Sequence, residues 1–109
     1  MSSVRQQKIS RLIHKELGNI LQVRTNNYGG LVTVTQVRVS PDLGVAKVYV
    51  SIFPGDSEAI FEKVKEDTFH IRKEFATITR HQLRRTPEFI FYLDDSNDYL
   101  ENIENLLKD

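Results

Sequence analysis

The chain has 109 residues, no cysteine, 39% hydrophobic residues and 15 basic against 15 acidic side chains, so its net charge is zero. This length and apolar content predict one domain, residues 1–109, with a single buried core, and the lack of cysteine excludes disulfide-stapled scaffolds and thiolate-ligated metal sites. No apolar run approaches the roughly 20 residues that span a bilayer, and no secretory signal is visible, so we expect a cytoplasmic protein without a membrane segment.

The first half of the chain predicts a helix followed by an antiparallel hairpin. Residues 5–21 repeat apolar side chains at helical spacing, and the Asn- and Gly-containing residues 26–30 predict a loop. Residues 31–40 and 45–53 are rich in β-branched residues and are separated by a short turn, which is typical of a hairpin. The alternation of valines in the first strand changes phase near Gln36, and this predicts a β-bulge.

The second half predicts a broken helix, a third strand and a last helix. Apolar residues keep helical spacing from Glu58 almost to Arg85. One uninterrupted helix over that span would be about 42 Å long, which is too long for a domain of this size, so we expect a break. Residues 87–93 predict a strand, and Asp94 opens a C-terminal helix.

No group of residues supports catalysis or metal binding. The three histidines, His14, His70 and His81, are too scattered for a metal motif. The carboxylates over residues 94–98 fit a helix cap better than a cation loop. Phosphate-binding glycine motifs and nucleophile motifs are absent. We therefore predict no catalytic residue, no metal site and no cofactor, and a small enzyme is the weakest functional hypothesis.

Residues 72–87 carry a net charge of +4 and predict a nucleic-acid contact. On a helix that continues to residue 85, Lys73, Arg80 and Arg84 lie opposite the apolar stripe, with Arg72 and Arg85 beside them. Long cations around small residues let a phosphate backbone approach closely. A solvated helix face is the alternative interpretation, and the last two arginines could instead complement the helix C-terminus.

The first helix predicts a second, weaker contact. Its basic side chains Arg5, Lys8 and Arg11 fall on one face together with Lys15, and no acidic residue precedes Glu16. Residues 1–53 carry a net charge of +5, whereas residues 54–71 and 88–109 carry −3 and −6. The local charges therefore carry more information about partners than the neutral total does.

Several motifs in order along the chain resemble the ribosome-binding factor A family. They are VTQVRVSPDLGVAKVYVS at 34–51, IRKE at 71–74 and RTPEFIFYLDDS at 85–96. The resemblance implies an α+β fold, a type II KH-like single domain with the order α-β-β-α-kink-α-β and a C-terminal helix. The family has an A-x-G kink between its paired helices; Asp67-Thr68-Phe69 stands at the matching positions, so we expect the helix break within Asp67–His70.

The resemblance also implies a function. It predicts a non-enzymatic assembly factor that binds the small ribosomal subunit and its rRNA and assists late maturation, including 16S rRNA processing, especially in the cold. It leaves assembly GTPases open as further partners, and we expect a monomer. The candidate RNA-binding residues are Arg5, Lys8, Arg11, Arg72, Lys73, Arg80, Arg84 and Arg85.

A protein-interaction module is the alternative hypothesis. The acidic C-terminal helix would then dock a basic protein, and the neutral net charge favours this slightly because many rRNA-binding proteins are distinctly basic. The two hypotheses differ in their salt dependence, since binding to phosphates weakens steeply as salt rises.

Overall fold

A computed structural model describes residues 3–53 and 56–94. Its elements are α1 (Val4–Val23), α2 (Thr25–Tyr28), β1 (Leu31–Val39), β2 (Val45–Phe53), α3 (Ser57–Glu66), α4 (Thr68–Thr79) and β3 (Glu88–Leu93). This order confirms the α+β fold class, and the predicted C-terminal helix lies outside the described residues. None of the described helices is both long enough and apolar enough to cross a bilayer.

The three strands form one sheet in the order β1-β2-β3. β1 and β2 pair antiparallel, as predicted, with a register shift between Val34 and Gln36 that confirms the β-bulge. β3 pairs with β2 in parallel, so the chain must cross over between them, and α3 and α4 supply that crossover. Side chains alternate between buried and exposed along the strands, because the helices cover only one face.

The core lies between that face and the helices. It contains residues from α1 (Ile9, Ile13, Leu17), β2 (Val48, Val50, Ile52) and α4 (Ile71, Phe75). Phe89 and Phe91 of β3 also belong to it, and the Phe75 and Phe89 rings meet edge to face with centroids 5.2 Å apart. β3 is therefore fixed to the helical layer as well as to β2.

The predicted loop over residues 26–30 is wrong in its first part, because residues 25–28 form the short helix α2. Tyr28 is only 3% exposed. Burying its ring holds this turn of chain against the core and overrides a local composition that favours a loop. Gly29 then ends α2 at φ +87°, in the left-handed region that glycine adopts without strain.

The helix break lies at Asp67, within the predicted interval. Asp67 has φ −89° and ψ 2° and separates α3 from α4. Its Oδ2 accepts hydrogen bonds from Arg24 Nη1 and from the Tyr28 hydroxyl, both at 2.7 Å. Arg24 Nη2 also donates to Glu74 Oε2 at 2.9 Å. This group of three residues, Arg24, Tyr28 and Asp67, which we call the Asp67 cluster, ties the break to the end of α1.

The predicted extension of the helix almost to Arg85 is wrong, since α4 ends at Thr79. The buried Thr79 hydroxyl donates to the Phe75 carbonyl at 2.8 Å, and the Thr79 carbonyl accepts from the amides of Gln82 and Leu83. Leu83 packs against the core, so the chain turns back toward β3 instead of continuing into solvent. Arg84 and Arg85 therefore belong to a loop.

Removing the ring of Phe75 should destabilise the fold strongly. Phe75 is 0% exposed, and Phe75→Ala should lower the free energy of unfolding by about 3–5 kcal/mol through lost burial and the remaining cavity. Phe69→Ala is the matched control, because Phe69 is 72% exposed and should change stability by less than about 0.5 kcal/mol. Equal urea midpoints for the two variants would contradict this core.

Because of Tyr28, the Asp67 cluster should make the free energy of unfolding fall at alkaline pH. Burial, and then the hydrogen bond donated to Asp67, raise the pKa of Tyr28 above its usual value. The protonated Tyr28 phenol therefore contributes its full share to the free energy of unfolding below pH about 10. As the pH rises further, the unfolded chain loses the phenolic proton first, and this contribution is lost. Urea titrations from pH 8 to 11 should show a steeper loss for the wild type than for Tyr28→Phe. Parallel curves would argue against the raised pKa.

Candidate nucleic-acid interface

A basic cleft lies where the start of α1 meets the β1–β2 turn and the loop over residues 80–87. Its volume is about 760 Å³. Four predicted RNA-binding cations line it: Arg5 and Lys8 from α1, and Arg84 and Arg85 from the loop. The two basic blocks, far apart in sequence, thus meet at one place, which we call the basic cleft.

The start of α1 fixes the first two cations. Ser3 caps the helix, accepting from the Gln6 amide at 3.1 Å while its own amide donates to Gln6 Oε1 at 2.8 Å. Gln6 Nε2 also donates to the Val39 carbonyl at 2.9 Å, which ties this turn to β1. Arg5 and Lys8 are three residues apart, so they lie on the same side of the helix, toward the cleft.

The loop that carries the other two cations is held by Arg72. Its Nε donates to the Pro87 carbonyl at 3.0 Å and its Nη2 to the Thr86 carbonyl at 2.7 Å. The Glu88 amide donates to the Gly44 carbonyl at 2.9 Å, which closes the loop against the β1–β2 turn. Arg72, predicted as an RNA contact, therefore positions Arg84 and Arg85 by binding the carbonyls of the two residues that follow them.

The β1–β2 turn contributes the acidic group of the cleft. Asp42 Oδ1 accepts from the Ser40 hydroxyl at 2.6 Å and from the Gly44 amide at 3.0 Å. These hydrogen bonds, the Ser40 one foremost, together with the nearby charge of Arg85, lower the pKa of Asp42. The carboxylate stays ionised and is occupied in holding the turn, so the cleft keeps an excess of positive charge.

Apolar side chains form part of the lining beneath these charges. They come from α1 (Ile9, Leu12), the turn (Leu43) and the loop (Leu83, Pro87). Sequence reasoning missed this part of the site. Two residues could have indicated it: Leu83 is an isolated apolar residue within a basic segment, and Leu43 is an apolar residue within a turn. Both are partly buried against the core.

The remaining predicted residues lie apart from the cleft. Lys73 is exposed on α4, and Arg80 caps that helix with its Nε 3.3 Å from His81 Nε2. Arg11 lines a separate shallow hollow between α1 and β1. The expectation that Lys73, Arg80 and Arg84 share one helical face is wrong, because the helix ends before Arg84.

A second hollow of about 480 Å³ continues from the cleft toward the helix break. Arg85 borders both hollows, and Phe69 and Arg72 also line the second one. Within the described residues, no three His, Asp or Glu side chains are grouped so as to hold a metal ion.

The broken helix pair on one face of a three-stranded mixed sheet defines a KH-like α+β domain. A family model described as ribosome-binding factor A matches residues 5–107. Ribosome-binding factor A of Christiangramia forsetii is 44% identical over 108 residues, covering 95% of this chain and 82% of that protein. The chain therefore belongs to the ribosome-binding factor A family.

A crystal structure and a fitted homology model of a relative show the same fold. The crystal structure of ribosome-binding factor A from Thermus thermophilus is similar with a TM-score of 0.64 at 24% identity, covering 81% of this chain and 94% of that one. A homology model of the Thermus thermophilus factor, fitted into a cryo-EM map of its complex with the 30S subunit, is similar with a TM-score of 0.57 at 24% identity. It covers 84% of this chain and 93% of that one.

Shortening the Arg72 side chain should loosen the loop. A lysine cannot reproduce the two-pronged donation to Thr86 and Pro87, so Arg72→Lys should lower the free energy of unfolding by about 1 kcal/mol. The NMR order parameters of the backbone N–H groups of residues 84–86 should fall with it. Arg80→Lys is the matched control, since Arg80 donates to neither carbonyl. An equally rigid loop in both variants would show that Arg72 does not position it.

Proposed function

We propose that this protein is a non-enzymatic assembly factor that binds the small ribosomal subunit through its rRNA and assists late maturation, including 16S rRNA processing. The observation that carries the proposal is the convergence of Arg5, Lys8, Arg84 and Arg85 on one cleft. The complex of the Thermus thermophilus relative with the 30S subunit supports it. The same proposal includes a cytoplasmic location, a monomeric state and assembly GTPases as further partners.

The geometry of the cleft suits a phosphate backbone. Guanidinium groups bind phosphate oxygens with paired N–H donors, whereas a lysine ammonium acts as a point charge. Each phosphate that these groups neutralise releases counterions, which gives most of the affinity and makes it salt-dependent. Because Arg72 and the Ser3 cap already hold both walls in place, little ordering remains to be done when RNA binds.

The helix break is a poorer place to hold RNA than the basic cleft. Typical KH domains clamp the backbone with a G-x-x-G loop between the paired helices. Here the break carries two carboxylates, Asp67 and Glu74, that share the single cation Arg24, together with the exposed Phe69 ring, so this group keeps a negative charge that disfavours a phosphate. We therefore assign the main backbone contact to the basic cleft, with Arg85 extending it toward Phe69.

Charge reversal in the cleft tests this function. Arg5→Glu/Arg84→Glu should weaken binding to purified small subunits by about 50-fold at 0.1 M salt if each cation contacts one phosphate. The logarithm of the association constant falls linearly with the logarithm of the salt concentration, and this slope should become shallower by about two units, one for each phosphate that is no longer neutralised. The measurement is co-sedimentation with small subunits over a salt series, with circular dichroism confirming an intact fold.

The matched control is Lys73→Glu/Arg80→Glu, which makes the same change of charge outside the cleft. We expect it to change affinity by only a few fold and to leave the slope nearly unaltered. Equal effects of the two double variants would show that general charge, and not the cleft, drives binding. Salt-insensitive binding to one isolated subunit protein would favour the protein-interaction hypothesis and its acidic segment over residues 88–109.

A further inference from the structure

The sheet face opposite the helices carries a stacked pair of tyrosines. The rings of Tyr49 on β2 and Tyr92 on β3 lie with centroids 5.2 Å apart and planes 23° from parallel. The two residues are partners in the parallel register. Tyr92 is 38% exposed and Tyr49 is half-buried, so the pair stands at the surface rather than in the core.

Within residues 3–53 and 56–94, the position of β3 leaves one side of this stack without a neighbouring strand. Each aromatic ring has two faces, and the contact between the tyrosines uses one face of each. β3 is an edge strand of the sheet over the described residues, so no further strand lies beside Tyr92 on the side away from β2. A third flat ring can therefore extend the column on Tyr92, at the offset-stacked spacing that aromatic rings favour.

Positive charge accompanies the rings on the same face. Lys47 pairs with Arg38 across β1 and β2 and with Ile90 across β2 and β3. All three are exposed and lie two residues along the strands from the tyrosine row, a distance of about 7 Å. Two acids of this face lie within the described residues: Glu88 begins β3, and Asp94 stands two residues beyond Tyr92, where its Oδ2 accepts from the Thr35 hydroxyl at 2.6 Å and is thereby engaged.

We propose that this face is a second RNA contact, at which the base of an unpaired nucleotide stacks on Tyr92 while Lys47 and Arg38 bind the flanking phosphates. The inference rests on the proposed function, since it takes RNA to be the ligand. A duplex cannot use the site, because its bases are already stacked and paired, whereas a single strand offers a free ring with every nucleotide. Tyr49 supports Tyr92 from the other side.

The chemistry of the face favours RNA over an apolar protein segment. Tyr92 and the exposed Ile90 form a short apolar strip along β3, and Lys47, Arg38 and Gln36 border the tyrosines on the β2 and β1 side of that strip. An apolar partner would have to desolvate both cations, whereas a phosphate compensates them. Aromatic rings beside cations are the usual combination on surfaces that bind single-stranded nucleic acid.

The test measures binding of a fluorescein-labelled hexauridylate to the full chain by anisotropy. Tyr92→Leu keeps apolar area but removes the aromatic face, and should weaken binding by about tenfold, whereas Tyr92→Phe should bind within about twofold of the wild type. Lys47→Glu should weaken binding and flatten its salt dependence by about one unit of slope. A blunt-ended RNA duplex is the matched probe, and Tyr92→Leu should leave its affinity unchanged.

Other results would overturn the site. Equal hexauridylate affinity for Tyr92→Leu and the wild type would exclude stacking, even where small-subunit binding still depends on the basic cleft. Weaker subunit binding by Tyr92→Leu, with unchanged hexauridylate affinity, would identify a protein as the occupant. A soluble paramagnetic agent should speed the relaxation of the Tyr92 ring protons in the free chain. Only a weak enhancement would show that the chain's own residues cover this face. Failure of the wild type to bind any RNA or subunit would instead refute the proposed function itself.

Discussion

The Asp67 carboxylate is the contact on which the arrangement of the helical layer depends. Two hydrogen bonds at 2.7 Å, from the Arg24 guanidinium and the Tyr28 hydroxyl, hold it between the end of α1 and the break in the crossover. Asp67 and Arg24 are each largely withdrawn from solvent, with about a fifth of their side-chain surface exposed, so this pair is screened less than a surface pair. Because the break is fixed there, α4 turns back over β3 and presents Phe75 to Phe89.

The basic cleft follows from that path of the chain. Once α4 ends at Thr79, the loop must return to the start of β3, and Arg72 binds two of its carbonyls along the way. This places Arg84 and Arg85 across from the first turns of α1. Four cations near one another repel, and the hydrogen bonds that hold both walls oppose that repulsion in the absence of a ligand. A bound polyanion would relieve it.

Much of the fold could be predicted from the sequence because its signals are local. The phase change at Gln36 and the excess length of the helical pattern before Arg85 each identified an irregularity that the structure contains. The end of α4 could not be predicted in this way, since it depends on where Leu83 packs against the core. The burial of Tyr28, which creates α2, is likewise a tertiary effect.

The parallel pairing of β3 with β2 has a consequence for the order in which the molecule assembles. Val45 and Glu88 are partners in the sheet although much of the chain separates them, so this pairing closes a long loop and carries a high entropic cost. The hairpin of β1 and β2 closes a far shorter loop. The wall of the basic cleft that contains Arg84 and Arg85 is in place only when β3 docks, so the concentration of positive charge in the cleft is a property of the completed domain and not of the nascent hairpin.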